Sequence, residues 1–181
     1  MDKILIIDLE ATCGDSVPRD EMEIIEVGMV VCDLAGNEYD RFQMFSKPVR
    51  HTTLTDFCKT LTGINQDQVD FAEDWDFVAD RISAFISRHD ITIWGSWGDY
   101  DKNQIRKDCV FKGVDNPFKE LEHFNLKDLF AKQNGLKKQV GLSKAIQLKG
   151  LTFDGDPHHA LIDAENTAKL ITFITIPRDY T

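Results

Sequence analysis

The segment Lys3–Glu10 constrains the fold most, because a short apolar run in it is followed by two acids. Residues 4–7 are apolar on both faces of a strand, which is typical of a central strand covered by helices. Asp8 and Glu10 follow at a spacing of two. Since side chains alternate between the faces of a strand, both carboxylates project from one face and Leu9 from the other.

Two acids on one face of a strand repel each other and need compensation. Two unit charges about 4 Å apart repel by about 4 kcal/mol at an effective dielectric constant near 20. A divalent cation would offset this repulsion, since hard oxygen ligands suit Mg²⁺ or Mn²⁺. The alternative is that the strand has ended and that both acids are solvated. The spacing of Asp8 and Glu10 alone leaves that alternative open.

Patterns along the rest of the chain predict an α/β fold. Strands at 23–33 and 38–46, joined by a turn, indicate an antiparallel meander with the first strand, and Gly28 indicates close approach of another backbone. Apolar stripes at helical spacing follow, with a fourth strand at 91–94. The predicted helices are Leu54–Leu61, Trp75–Arg88, Lys102–Phe111, Leu126–Gln133, Gly141–Leu148 and Ala160–Ile174. We therefore expect one mixed sheet flanked by helices, in a single domain covering residues 1–181.

Further acids follow the later elements. Asp99 and Asp101 lie in a glycine-containing turn after the fourth strand, where an N-cap role for Asp101 is the common alternative and Asp99 is a rival carboxylate. Asp163 lies one turn into the last helix, beside small residues that let the helix approach the sheet. His158 precedes that helix, and a histidine at this spacing is a weak indication by itself.

Together these residues match the needs of phosphodiester hydrolysis with two metal ions. Four carboxylates, from Asp8, Glu10, Asp101 and Asp163, balance the charge of two divalent cations. Such ions activate a water molecule and stabilise the leaving oxygen. An imidazole such as that of His158 can take a proton from the attacking water at neutral pH.

Three motifs in this order resemble those of the DEDDh 3′–5′ exonucleases, which have a ribonuclease H-like fold. Asp8–Thr12 is similar to the first motif, the turn 97–101 to the second, and His158–Asp163 to the third. The chain is most similar to the Eri-type branch, which includes the histone-mRNA 3′ exonuclease. The segments that carry this likeness are Lys47-Pro48, Leu54–Cys58 and Leu61–Gln66.

The resemblance implies roles for individual residues. The ligands of two Mg²⁺ or Mn²⁺ ions would be Asp8, Glu10, Asp101 and Asp163. His158 would be the general base, and Glu10 would be a catalytic residue as well as a ligand. Asp101 is favoured over Asp99 because the family's acid follows an aromatic residue, here Tyr100. In the doubled histidine, His158 has the family's spacing and His159 is the fallback. The branch implies release of 5′-nucleotides from the single-stranded 3′ end of RNA.

Substrate contacts are also expected outside the acids. The backbone around three residues of the first motif would contact the substrate. An aromatic side chain of the second motif would stack on a base. Two cations four residues apart on one helix face would contact phosphates. The corresponding residues are Leu9, Ala11, Thr12, Trp97, Lys102 and Arg106.

Charge and composition exclude some classes of protein. The net charge of −10 excludes a generally basic nucleic-acid coat protein. Residues 102–149, however, hold 11 bases and 5 acids. This basic segment could be a phosphate-facing surface or a solvated helical face. No apolar run approaches the roughly 18 residues of a membrane span, and the N-terminal run is too short for a signal peptide. The four widely spaced cysteines predict reduced thiols in a cytoplasmic protein.

Two other functions stay open at this stage. The chain could be a single-stranded DNA or oligoribonucleotide exonuclease of the same superfamily, since no residue that reads the 2′-hydroxyl is evident. It could also be a non-catalytic nucleic-acid- or protein-binding scaffold on this fold. The complete set of four acids and a histidine argues against a scaffold, which has no need of a repulsive acidic cluster. The sequence identifies no protein partner.

Overall fold

Strand β1 lies at the centre of a five-stranded sheet in the computed structural model, which describes residues 3–177. The strands are β1 (Lys3–Ala11), β2 (Ile24–Asp33), β3 (Glu38–Phe45), β4 (Ile93–Ser96) and β5 (Glu122–Asn125). Their order is β3-β2-β1-β4-β5. The first three strands form an antiparallel meander, and β4 and β5 extend the sheet in parallel with β1. The predicted mixed sheet is therefore confirmed.

Helices cover both faces of this sheet. They are α1 (Asp56–Thr62), α2 (Gln66–Asp70), α3 (Trp75–Arg88), α4 (Tyr100–Lys112), α5 (Leu126–Gln133), α6 (Leu142–Leu148) and α7 (Ala160–Lys169), with a 3₁₀ turn at Ile171–Phe173. Leu5 and Ile7 pack with α3 and α4, whereas Ile4 and Ile6 pack with α5, α6 and α7. These four side chains are buried on both faces of β1, as the continuous apolar run predicts.

Helix α7 begins directly against the backbone of β2. A Cβ atom at Gly28 would lie 2.1 Å from the backbone nitrogen of Leu161 and 2.2 Å from the carbonyl carbon of Ala160. Two residues before Gly28 in β2, Glu26 Oε2 accepts a hydrogen bond from the Ala160 amide at 3.1 Å. The close backbone approach predicted at Gly28 is thus confirmed, and it fixes where α7 starts.

Several predicted boundaries differ from the structure. The fourth strand begins at Ile93, because the Ile91 amide still donates to the Ile86 carbonyl at the end of α3. The last helix ends at Lys169 and gives way to the 3₁₀ turn. The short strand β5 and helix α2 were not predicted.

Two expectations about the chain's environment can be compared with the structure. Cys13, Cys32, Cys58 and Cys109 are all free thiols. Within residues 3–177, no helix is both long and apolar enough to cross a membrane.

We expect Gly28→Ala to lower the free energy of unfolding by about 1–3 kcal/mol, the usual effect of overpacking a tight contact. The added methyl group can be accommodated only if α7 moves away from the sheet. Urea denaturation measures the change. Gly141→Ala is the matched control, since a Cβ atom there has nothing within 4 Å. Equal stability of the two variants would contradict a close contact at Gly28.

Candidate active site

The predicted acids meet at the C-terminal ends of β1 and β4. Asp8 and Glu10 lie opposite Gly28 and Glu26 of β2, on the face of the sheet that α7 covers. Asp101 lies in the first turn of α4, directly after β4. Asp163 lies in the first turn of α7. The two strand ends and two helix starts therefore direct four carboxylates toward one place.

Three of the predicted residues form a compact cluster. One potential ligand atom from each of Glu10, His158 and Asp163 lies within 4.8 Å of the other two. The His158 amide donates to Asp163 Oδ2 at 3.0 Å, and His158 has a φ of 67°, in the left-handed region. The other carboxylate oxygen, Asp163 Oδ1, is buried and has no hydrogen-bond partner among residues 3–177. A buried, unpaired oxygen of this kind is suited to a cation.

Burial, with a contribution from neighbouring carboxylates, raises the pKa of three acids of the site. Burial, followed by the charges of Asp101, Asp163 and Glu10, raises the pKa of Asp8 well above its usual value. Burial and the charge of Asp163 raise the pKa of Glu10 to about 8. Burial is also the main reason that the pKa of Asp101 rises to about 7, although hydrogen bonds from Leu9 and Ser96 oppose the shift. The protein alone thus leaves much of this negative charge uncompensated.

The structure distinguishes Asp101 from Asp99. Asp101 is buried and interacts electrostatically with Asp8. Asp99 occupies the N-cap position of α4, without a capping hydrogen bond from its side chain, and accepts from Asn125 Nδ2 at 2.7 Å. Asp99 is exposed, so only Asp101 belongs to the acidic cluster.

Trp97 is not placed to stack on a base as predicted. Its indole packs against Phe130, with ring centroids 5.6 Å apart, and its Nε1 donates to the Val140 carbonyl at 3.0 Å. The alternation of the strand end carries it into the core beside α5. The aromatic side chain at the site is Tyr100, which is 46% exposed and whose pKa is raised by burial and by the charges of Asp101 and Glu10.

The other expected substrate contacts fall into two groups. Leu9, Ala11 and Thr12 are buried, and the Thr12 side chain already accepts from the Glu23 amide at 3.0 Å. Lys102 and Arg106 are exposed on one face of α4. The structure therefore leaves the two cations more accessible to a substrate than the first-motif residues.

Glu26 is an acid of the site that sequence reasoning missed. It is fully buried, lies opposite Glu10, and accepts from Gln43 Nε2 at 2.6 Å as well as from the Ala160 amide. Its charge helps raise the pKa of Asp8 and Glu10. The available signal was an acid in the apolar part of β2, since the other acid of the strand, Asp33, is its last residue.

Known exonucleases match this chain over most of its length. The exonuclease family model RNase_T matches residues 5–171. The nuclease domain of 3′hExo, described as a DEDDh family member and solved with rAMP, superposes with a TM-score of 0.88 at 28% identity, over 95% of this chain and 90% of that one. The chain belongs to the DEDDh exonuclease family. Curated relatives indicate the Eri-type branch of that family.

Two relatives show how far the similarity extends. The human 3′-5′ exoribonuclease 1 is 31% identical over 93% of this chain. The probable 3′-5′ exonuclease KapD of Bacillus subtilis is 30% identical over 98% of this chain and 86% of its own length. This chain spans only 51% of the length of the human relative and 27% of the length of the Xenopus laevis ERI1 exoribonuclease 2.

The raised pKa values predict how stability depends on pH in a chelator. Glu10, with a pKa of about 8, keeps a proton in the folded protein that the unfolded chain releases near pH 4. Protonated Glu10 therefore makes its whole contribution to the free energy of unfolding below about pH 4. This contribution is lost as the pH rises toward 8. We expect Glu10→Gln to remove this loss, so that it gains roughly 1–4 kcal/mol relative to wild type over that range.

Urea melts of both proteins at several pH values measure this difference. Saturating Mg²⁺ should shrink it, because a divalent cation bound at these acids would neutralise their charge in the folded wild type. Parallel pH profiles in chelator would contradict strong repulsion at Glu10.

Proposed function

We propose that this chain is a metal-dependent 3′–5′ exonuclease that releases 5′-nucleotides from the 3′ end of RNA. The observation that carries the proposal is the convergence of Asp8, Glu10, Asp101 and Asp163 beside His158. We treat residues 1–181 as one exonuclease domain, since the family model spans residues 5–171.

Named relatives support RNA as the substrate. A 3′-exonuclease whose structure is described as showing 3′-end specific recognition of a histone mRNA stem-loop is 28% identical, with a TM-score of 0.88. Exonuclease I bound to single-stranded DNA is only 14% identical, so that likeness shows the fold alone. The comparisons thus favour RNA over the alternative of a DNA exonuclease.

The acidic cluster fits Mg²⁺ or Mn²⁺. Its donors are carboxylate oxygens, which are hard ligands, and Asp163 Oδ1 is buried without a partner in the described chain. Asp8, Glu10, Asp101 and Asp163 would hold two ions, which supply activation of the attacking water and stabilisation of the leaving oxygen when bound.

The protein's own residues would position and deprotonate the reactants. His158 would take the proton from the attacking water, and its backbone is fixed by the hydrogen bond to Asp163. Glu26 fixes the start of α7 behind these residues. Tyr100, in place of Trp97, offers an exposed ring that can stack on the terminal base.

A non-catalytic scaffold is the weaker alternative. Buried carboxylates destabilise a fold unless a ligand neutralises them, and burial together with neighbouring charges raises the pKa of Asp8, Glu10 and Asp101. Perturbed pKa values of this kind are concentrated at functional sites.

Digestion of matched RNA and DNA oligomers tests the proposed function directly. With Mg²⁺ or Mn²⁺, we expect RNA labelled at its 5′ end to give a ladder that shortens from the 3′ end, and RNA labelled at its 3′ end to release a labelled mononucleotide first. Equal or faster digestion of DNA would favour the alternative substrate. Binding without hydrolysis, in every metal tested, would favour the scaffold.

Asp101→Asn and Asp99→Asn form a matched pair in the same turn. We expect Asp101→Asn to lose at least about 10²-fold in rate, because it removes one buried carboxylate of the cluster. Asp99→Asn should keep nearly all activity, because Asp99 is exposed and outside the cluster. Single-turnover rates in saturating Mg²⁺ measure both. If Asp99→Asn were the more damaged variant, the choice between the two acids would be wrong.

The two histidines form a second matched pair. We expect His158→Ala to reduce the rate by about 10²–10⁴-fold, the usual contribution of a general base. His159→Ala should reduce it much less, because the His159 ring packs near Gly63 at the end of α1. Thermal melts of both variants separate a lost base from a disturbed fold. A larger loss of rate in a well-folded His159→Ala would identify His159 as the base.

A further inference from the structure

A cavity of about 300 Å³ lies beside α4, outside the acidic cluster. Three of the side chains that line it are cations, Lys102, Arg106 and Lys119. None of these three makes an ion pair with a carboxylate within residues 3–177. Cations left without a partner by the protein itself are available to an anionic ligand.

The lining of this cavity contains no aspartate or glutamate among the described residues. This is notable in a chain with 31 acids and 21 bases. Lys119 and Asn116 also line a neighbouring depression, which contains Asp80, Asp115 and Glu120. The lining of the cavity itself is thus positively charged, on a protein that is acidic overall.

Uncharged donors complete the lining. Asn103 is exposed at the cavity, and Asn116 uses its Oδ1 to accept from the Phe118 amide at 2.9 Å, which leaves its NH₂ group available. Burial and the charge of Lys102 lower the pKa of His123 to about 4, so this ring is neutral near pH 7 and adds no charge. Ammonium, guanidinium and amide donors together suit phosphate oxygens.

The cations follow α4 away from the acidic cluster. Asp101 is in the first turn of the helix, Lys102 is the next residue, and Arg106 lies about 6 Å farther along the axis. Lys119 follows the helix in sequence and returns to line the same cavity as Lys102 and Arg106. An RNA strand with its 3′ end at the acids could therefore continue along this line.

We propose that this cavity, which we name the α4 groove, binds phosphates of the RNA strand 5′ to the nucleotide being removed. The inference rests on the proposed exonuclease function, since the strand enters the groove from that site. It extends the predicted contacts at Lys102 and Arg106 to Lys119 and to the two asparagines. The groove would give the enzyme a preference for substrates longer than a dinucleotide.

The test compares Arg106→Gln and Lys119→Gln with Lys144→Gln in the 181-residue chain. Lys144 is an exposed lysine on α6, which packs on the opposite face of the sheet. In Mg²⁺, we expect each groove variant to raise the KM for a dodecamer RNA several-fold more than the KM for a dinucleotide. Lys144→Gln should raise neither. Fluorescence anisotropy with the dodecamer in chelator should show a salt dependence that is shallower by about 0.7 in log K against log salt for each lost phosphate contact.

The outcomes separate the two proposals. No hydrolysis by the wild type would overturn the proposed function, whereas the anisotropy arm would still report on the groove. Normal hydrolysis with wild-type affinity and salt dependence in both groove variants would overturn the groove. An equal rise of KM for dinucleotide and dodecamer would also overturn it, because the contacts would then lie at the terminal nucleotide.

Discussion

Mutual repulsion among carboxylates is the constraint on which the rest of this structure depends. Asp8 and Glu10 lie at the end of the most central strand, and Asp101, Asp163 and Glu26 add negative charge around them. An arrangement of this kind persists only if the surrounding fold is rigid enough to hold it. Here β1 pairs with strands on both sides, and its apolar residues are buried under helices on both faces.

The contact between α7 and β2 links this rigid sheet to the chemistry. Gly28 brings the start of α7 against the backbone of β2, and Glu26 fixes the Ala160 amide. Asp163 therefore belongs to a helix whose start is fixed by its contact with the β2 backbone and by the hydrogen bond to Glu26. The same contact sets the segment before the helix, where His158 meets Glu10 and Asp163. A cation that binds these groups would relieve the repulsion and stabilise the fold at once.

The sequence predicted the parts of the fold and site that depend on local pattern. The alternation of Asp8, Leu9 and Glu10 follows from strand geometry, and the place of Gly28 in an apolar strand indicated the close approach of α7. The fate of Trp97 depended instead on tertiary packing, because its exposure is decided by Phe130 and Val140, which are distant in sequence. Strand β5 has one buried apolar residue, Phe124, in four, and its pairing with β4 could not be read from its own pattern. Glu26 was missed because its partners come from β3 and α7.

The left-handed backbone of His158 has a consequence of its own. A φ of 67° costs a residue with a side chain roughly 1 kcal/mol or more, whereas glycine adopts it without strain. Folding alone would thus favour glycine at this position, whereas the proposed role as general base needs the imidazole. A chain in which residue 158 did not have the proposed role could carry glycine here, and the exchange would relieve the backbone strain. Exchange of His158 for glycine would therefore remove the imidazole and stabilise the fold in a single step.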